Sequence, residues 1–385
     1  MRFGTFIAPH HPIGEHPTLQ FERDLKMCEM FDRLGYDEVW VGEHHSGGWE
    51  TIGHPEMFLA AAAQRTHHIK LATGVVSLPY HHPYNVAGRI AQLDHLSRGR
   101  AILGTGPGAL PSDARTFGID TEMLRDRQDE SIKVIQQLLT SEDPINYESD
   151  WFVLNEAFLQ TKPLQQDLEI ATASSISPSG MKLAGKYGLG VISVASFSDE
   201  GLQALPTQWS FAETYAEESG ATISRDQWRV MMPWHIAETR EQAIAEIKRG
   251  LLHWHNGYNV ETLARPGSKF VEDKDAEGFI ETMIARGGAI VGTPDDAIDA
   301  ITKLRELAGG FGTLVGFVHD WASPENTNRS YDMFARYVIP QVQGLIDPVR
   351  RAEQLLKNDN ASLMEAAGRG ILKAIREHKA EHGRA

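Results

Sequence analysis

Residues 2–12 read Arg2-Phe3-Gly4-Thr5-Phe6-Ile7-Ala8-Pro9-His10-His11-Pro12, an apolar run closed by a proline- and histidine-rich turn. Phe3, Phe6 and Ile7 with Thr5 between them mark a buried strand. An open nucleotide-binding sheet would end its first strand in Gly-x-Gly-x-x-Gly, so that a helix N-terminus could meet a pyrophosphate. Pro9-His10-His11-Pro12 cannot supply that loop.

Outward from this strand, the same kind of run recurs at 38–42, 70–76, 100–104, 168–173, 190–194, 229–237 and 314–318. Helical periodicity fills 19–34, 55–66, 83–97, 121–140, 177–187, 205–218, 240–256 and 294–306. Thr293-Pro294-Asp295-Asp296 opens the last of these with an N-cap, a first-turn proline and two acids at the positive helix end. Gly35 closes the first, at the left-handed position that follows a helix. Strand–helix alternation fits a doubly wound sheet or a barrel, but the missing glycine loop and the count of eight favour an α/β fold of the (β/α)8 TIM barrel type.

Two stretches depart from the alternation. Residues 143–162 carry Tyr147, Trp151 and Phe152, the mark of a small excursion packed on the barrel. Residues 259–288 are polar, charged and glycine-bearing and read as a mobile loop. The barrel with these insertions is assigned to 1–347. Residues 348–385 form a C-terminal helical tail with an apolar stripe of Leu355, Leu356, Leu363, Met364, Ile371, Leu372 and Ile375.

The formal charge of −15 disfavours nucleic acid and anionic lipid as partners. No apolar run is long enough to span a membrane, and the opening residues lack the apolar core of a secretion signal, so the expected location is the cytoplasm. The single cysteine, Cys28, falls in helical register with Phe21, Leu25 and Phe31 and reads as a core residue.

Barrel chemistry gathers at the C-terminal strand ends. The second strand delivers Glu43-His44-His45, imidazoles suited to proton transfer near neutral pH; histidines adjacent in sequence at a strand end point apart, which argues against a shared metal. Gly104-Thr105-Gly106-Pro107-Gly108 lets backbone approach a flat ligand, or is a plain tight turn. Ser174-Ser175-Ile176-Ser177-Pro178-Ser179-Gly180 puts hydroxyls at a helix start, as an anion site or as ordinary capping. There is no Gly-x-Ser-x-Gly and no His-Glu-x-x-His. No metal site is assigned.

Together the motifs resemble the bacterial luciferase-like, flavin-dependent monooxygenases over roughly residues 1–345. The matching stretches are Arg2-Phe3-Gly4-Thr5-Phe6, Val39-Trp40-Val41-Gly42-Glu43-His44-His45, Leu78-Pro79-Tyr80-His81-His82-Pro83, Leu93-Asp94-His95-Leu96-Ser97-Arg98-Gly99-Arg100, Phe117-Gly118-Ile119-Asp120 and Val291-Gly292-Thr293-Pro294. The opening segment is similar to limonene 1,2-monooxygenase-like members. The resemblance implies reduced FMN as cofactor, delivered by a separate reductase that draws on NAD(P)H, with O2 and a small apolar organic substrate, such as a terpene, and a homodimer or higher oligomer. It implies His44 as the catalytic histidine and Ser174, Ser175, Ser179 and Arg125 as phosphate ligands. A flavin-supporting bulge with a non-proline cis peptide falls on Gly74-Val75, and Ser77, Thr105 and Gly106 complete the flavin contacts. Phe6, His10, His45, Trp49 and Trp254 are the candidates for the substrate wall.

One departure stands out. Where luciferase has a cysteine and an arginine after the fourth strand, this chain has Gly106 and Pro107, which removes one charged phosphate contact. A deazaflavin-dependent hydride-transfer enzyme and a non-catalytic flavin-binding protein are the alternatives.

Overall fold

The computed structural model describes residues 1–8, 10–194 and 196–383. Eight parallel strands close on themselves: β1 (Arg2–Ile7), β2 (Glu38–Val41), β3 (Lys70–Thr73), β4 (Ala101–Gly106), β5 (Ile170–Ser174), β6 (Gly190–Ser193), β7 (Trp228–Ile236) and β8 (Thr313–Val318). β8 pairs with β1 from Arg2–Thr313 to Ile7–Val318, which shuts the ring. All eight strands lie where the sequence places them, with ends shifted by one or two residues and the third broken at Gly74-Val75.

One interior cluster draws a side chain from every strand: Phe6, Trp40, Ala72, Ile102, Ala171, Ile192, Met231 and Val315. Small residues beside large ones let the interior fill, as a side-chain-packed barrel requires. Gly104 makes room for Trp40, because a Cβ there would lie 2.7 Å from the indole and 1.9 Å from Thr73 O. Toward the strand starts, Arg229 is fully buried, paired through two nitrogens with Glu38 and through the third with Glu169, its guanidinium 5.2 Å from the Trp40 ring. Burial pushes the Glu38 carboxyl up, and the Arg229 charge more than offsets it, so Glu38 stays below the usual carboxylate range.

The excursion at 143–162 is a hairpin of Ile145–Glu148 and Val153–Ala157. Its Trp151 and Tyr147 both donate to Glu130 on the helix Leu124–Thr140. Residues 259–288 correct the sequence reading, since they are not a plain loop. A π-helix, Trp254–Thr262, continues the helix Arg240–His253, and Ala276–Ala285 is an α-helix. Ile280 and Met283 bury against Ile247 and Leu251, which supplies the apolar partner that holds this segment as a helix.

The chain divides at residues 338 and 339 into two compact units. The second contains the 36-residue helix Asp347–His382, which has no buried residue. No described helix is long and apolar enough to cross a membrane.

Candidate active site

The β2 end is fixed by backbone pairing: Gly42 donates to Ile7 O and His44 to Ile52 O. His44 and His45 then point in different directions. His44 Nδ1 is 3.0 Å from Asp113 Oδ2, and His44 Nε2 is 2.8 Å from Glu50 Oε2. Asp113 lies in the first turn of the short helix Pro111–Thr116, just after the glycine turn that ends β4, and its other oxygen accepts the His45 backbone N–H at 3.1 Å. Burial pushes the Asp113 carboxyl up, but hydrogen bonds from His44 and Ser46 outweigh it and hold it below the usual range.

Glu50 is buried and reaches a second imidazole, with Oε1 2.9 Å from His10 Nε2 and accepting the Tyr258 hydroxyl. The segment is held there because His10 and Glu50 form an isolated antiparallel bridge and His11 donates to Trp49 O. Burial first, then the charges of Arg265 and His11, lowers the His10 pKa to about 3, so its ring is neutral. The His10 ring meets Tyr258 edge-on at 4.5 Å, Phe317 at 5.5 Å and Trp254 at 6.1 Å. Phe6 stacks on Phe317 at 6.3 Å, and Trp49 lies 5.8 Å from Tyr258. Phe6, His10, Trp49 and Trp254 therefore form one continuous wall, with Tyr258 and Phe317 as members that the sequence did not reveal. An open recess of about 410 Å³ borders it, lined in part by Trp49, Gly257 and Phe270.

His45 lies apart from that wall. Its Nε2 is 2.9 Å from Glu43 Oε1, and its ring packs edge-on against Phe117 at 4.9 Å. Glu43 Oε1 is also 2.8 Å from His81 Nε2, and its Oε2 accepts the Ser77 backbone N–H. Burial pushes the Glu43 carboxyl up, yet bonds from His45 and His81 bring it down to about 2. Glu43, His45 and His81 are the only described cluster spaced as metal ligands could be. Each of the two imidazoles already bonds the carboxylate directly, and the group ties the β2 end to the segment after β3.

At the β5 end, Ser174 is buried and its hydroxyl has no hydrogen-bond partner. The helix Ser179–Tyr187 begins beside it with Pro178 as N-cap and no side-chain capping bond. Ser177 and Ser179 instead pair with each other at 2.9 Å. Ordinary serine capping therefore does not account for these serines. Ser175 is exposed. Gly180 seats the helix on the strand end, since a Cβ would lie 2.2 Å from Ala173 O. Gln128 donates to Thr172 on β5, and Arg125 lies one turn nearer the start of the same helix, exposed. An orphaned buried hydroxyl beside an uncapped helix start fits a phosphate group.

The Gly74-Val75 peptide is cis. A Cβ at Gly106 would lie 2.5 Å from Val75 Cγ2, so Val75 occupies the space a cysteine would need at 106. The Thr105 hydroxyl is committed to Ala171 O. Asp113, Glu50 and Tyr258 escaped the sequence reading; the one available signal was an acid in the first turn after Pro111.

Comparison with known proteins follows the same lines. The family model for luciferase-like monooxygenase matches residues 1–310. The chain is 45% identical over 351 residues to 4-hydroxyprotoasukamycin monooxygenase of Streptomyces nodosus subsp. asukaensis, covering 90% of this chain and 94% of that one. It is 41% identical over 379 residues to limonene 1,2-monooxygenase of Rhodococcus erythropolis, covering 98% and 96%. A solved structure, the oxygenating constituent of 3,6-diketocamphane monooxygenase from Pseudomonas putida in complex with FMN, matches with a TM-score of 0.72 at 27% identity, over 88% of this chain and 98% of that one. A barrel match this long, joined to relatives aligned nearly end to end, means that the chain belongs to the luciferase-like monooxygenase family.

Proposed function

We propose that the protein is the oxygenase of a flavin-dependent monooxygenase, binding reduced FMN from a separate NAD(P)H-dependent reductase and using O2 to oxygenate a small, mainly apolar organic substrate. The observation that carries this reading is His44, clamped between Asp113 and Glu50 at the end of β2, taken with the unpartnered buried hydroxyl of Ser174 at the end of β5. Ser174, Ser175, Ser179 and Arg125 would hold the phosphate, and the backbone at 74–77 and 105–106 would border the ring. Bound reduced flavin supplies the two electrons that O2 activation needs. The chain supplies the rest. Asp113 and Glu50 hold the His44 ring from both nitrogens, which fixes its orientation for proton transfer. Phe6, Trp254 and Phe317 keep water from the wall and take an apolar ring of terpene size, in keeping with the name of the limonene-oxidising relative.

The test is a reductase-coupled assay with NADH, limonene as a first substrate, and anaerobic titration of reduced FMN. His44→Ala is expected to bind flavin as the parent does while product formation falls at least 100-fold. Unchanged product yield would remove His44 from the reaction. Failure to bind reduced FMN while accepting a deazaflavin would overturn the cofactor.

A further inference from the structure

His10 is a histidine whose two ring nitrogens are buried without completing a hydrogen bond, although Nε2 sits 2.9 Å from the Glu50 carboxylate. A buried polar group without a partner is costly, and one that borders a candidate site is a place where a ligand can complete the bond. The carboxylate beside Nε2 draws the single proton of the neutral ring to that nitrogen. Nδ1 is then a bare lone pair among Trp254, Tyr258 and Phe317, and no described protein donor reaches it. The same carboxylate touches Nε2 of His44 through its other oxygen. Glu50 thus joins the catalytic candidate to the substrate wall.

We propose that His10 Nδ1 accepts a hydrogen bond from a hydroxyl on the substrate, and that Glu50 is the positioning residue that sets the His10 tautomer and couples it to His44. This rests on the function proposed above and narrows it: the preferred substrate carries an O–H on an otherwise apolar frame. The charge pattern supports the assignment. Burial is the largest influence on His10, Arg265 faces it and the Tyr258 ring, and His11 adds a second repelling charge; against the pull of Asp320 and of Glu50 beside Nε2, His10 stays an acceptor at working pH. Asp113 faces His44 from the short helix and Glu50 from the bridged segment, with Tyr258 bonded to Glu50 from the π-helix.

The experiment compares p-cymene with carvacrol, which differ by one phenolic hydroxyl. Binding of each to the flavin-free protein is measured by equilibrium dialysis. The parent is expected to favour carvacrol about tenfold, the worth of one hydrogen bond to a buried acceptor. His10→Phe should keep p-cymene binding and lose the preference. A parent that binds the two equally, or a His10→Phe protein that still prefers carvacrol, would overturn the proposal even if flavin chemistry is sound. Conversely, a chain that discriminates but binds no flavin would sink the proposed function alone. The second arm uses Glu50→Gln, nearly isosteric and able to keep the Tyr258 bond. Its coupled kcat should fall about tenfold, roughly one lost charge-assisted hydrogen bond, with FMN affinity unchanged and Glu50→Asp restoring part of the loss. An unchanged kcat in a folded Glu50→Gln protein, or a loss that Glu50→Asp does not recover, would leave Glu50 with only a structural role.

Discussion

Of the two positions after the fourth strand where this chain departs from luciferase, packing accounts for the glycine at 106. Gly106 faces Val75, whose methyl would lie 2.5 Å from an added Cβ. A Gly106→Cys variant is therefore expected to lose about 1–3 kcal/mol of stability through overpacking, read as a lower denaturant midpoint. Val75→Ala should relieve most of that loss in the double variant, and an additive double-mutant cycle would refute the packing explanation. The same scale shows what sequence reasoning could reach. His44, His10 and Ser174 stand at strand ends and were legible from position alone. Glu50 and Tyr258 were not, because their roles exist only after 208 residues of separation are folded away. His45 was expected in the substrate wall, but its ring turns to Glu43 and Phe117 instead, a direction its neighbour in sequence does not reveal.

Elements were read from the sequence where their apolar period stood on its own. The helix Pro83–Ser97 matches its expected bounds, and each barrel strand is a short apolar run. The helix Ala276–Ala285 was hidden because only Phe279, Ile280, Met283 and Ile284 carry its stripe, in a setting of charges and glycines. Its stability comes from Ile247 and Leu251, which no local pattern announces. In the proposed site, the element that would hold the cofactor phosphate is the helix Ser179–Tyr187, whose start rests on the β5 end through Gly180. Gly180→Ala would place a methyl 2.2 Å from Ala173 O and 2.8 Å from Ser174 Cα, so the helix start must lift. The expected outcome is FMN affinity weaker by about tenfold or more, roughly one lost charge-assisted bond, measured by flavin fluorescence quenching. An unchanged dissociation constant would show that the phosphate is held elsewhere.

For the whole molecule, two adjacent histidines set opposing limits on stability as pH changes. Burial, Arg265 and His11 lower His10 to about 3, whereas Asp24 and Asp320 outweigh burial and raise His11 to about 9, both from 6.5. His10 must be neutral in the folded chain, so its contribution is present above pH 6.5 and is lost as pH falls toward 3. His11 gains from being charged, so its contribution is full below pH 6.5 and is lost as pH rises through 9. Glu43, held down to about 2, adds to the acid side only, losing its contribution as pH falls from 4.5 toward 2. Thermal midpoints recorded from pH 4 to pH 10 should therefore form a dome with its top near neutrality. His11→Asn should lower the top and flatten the alkaline limb between pH 6.5 and 9, and, with the His11 charge no longer depressing His10, make the acid limb somewhat shallower without removing it. His10→Phe should flatten the limb between pH 6.5 and 4 and leave the alkaline side unchanged. A His11→Asn protein whose midpoint still falls through pH 9 as steeply as the parent's would show that the Asp24–His11–Asp320 cluster carries no net charge-dependent stability.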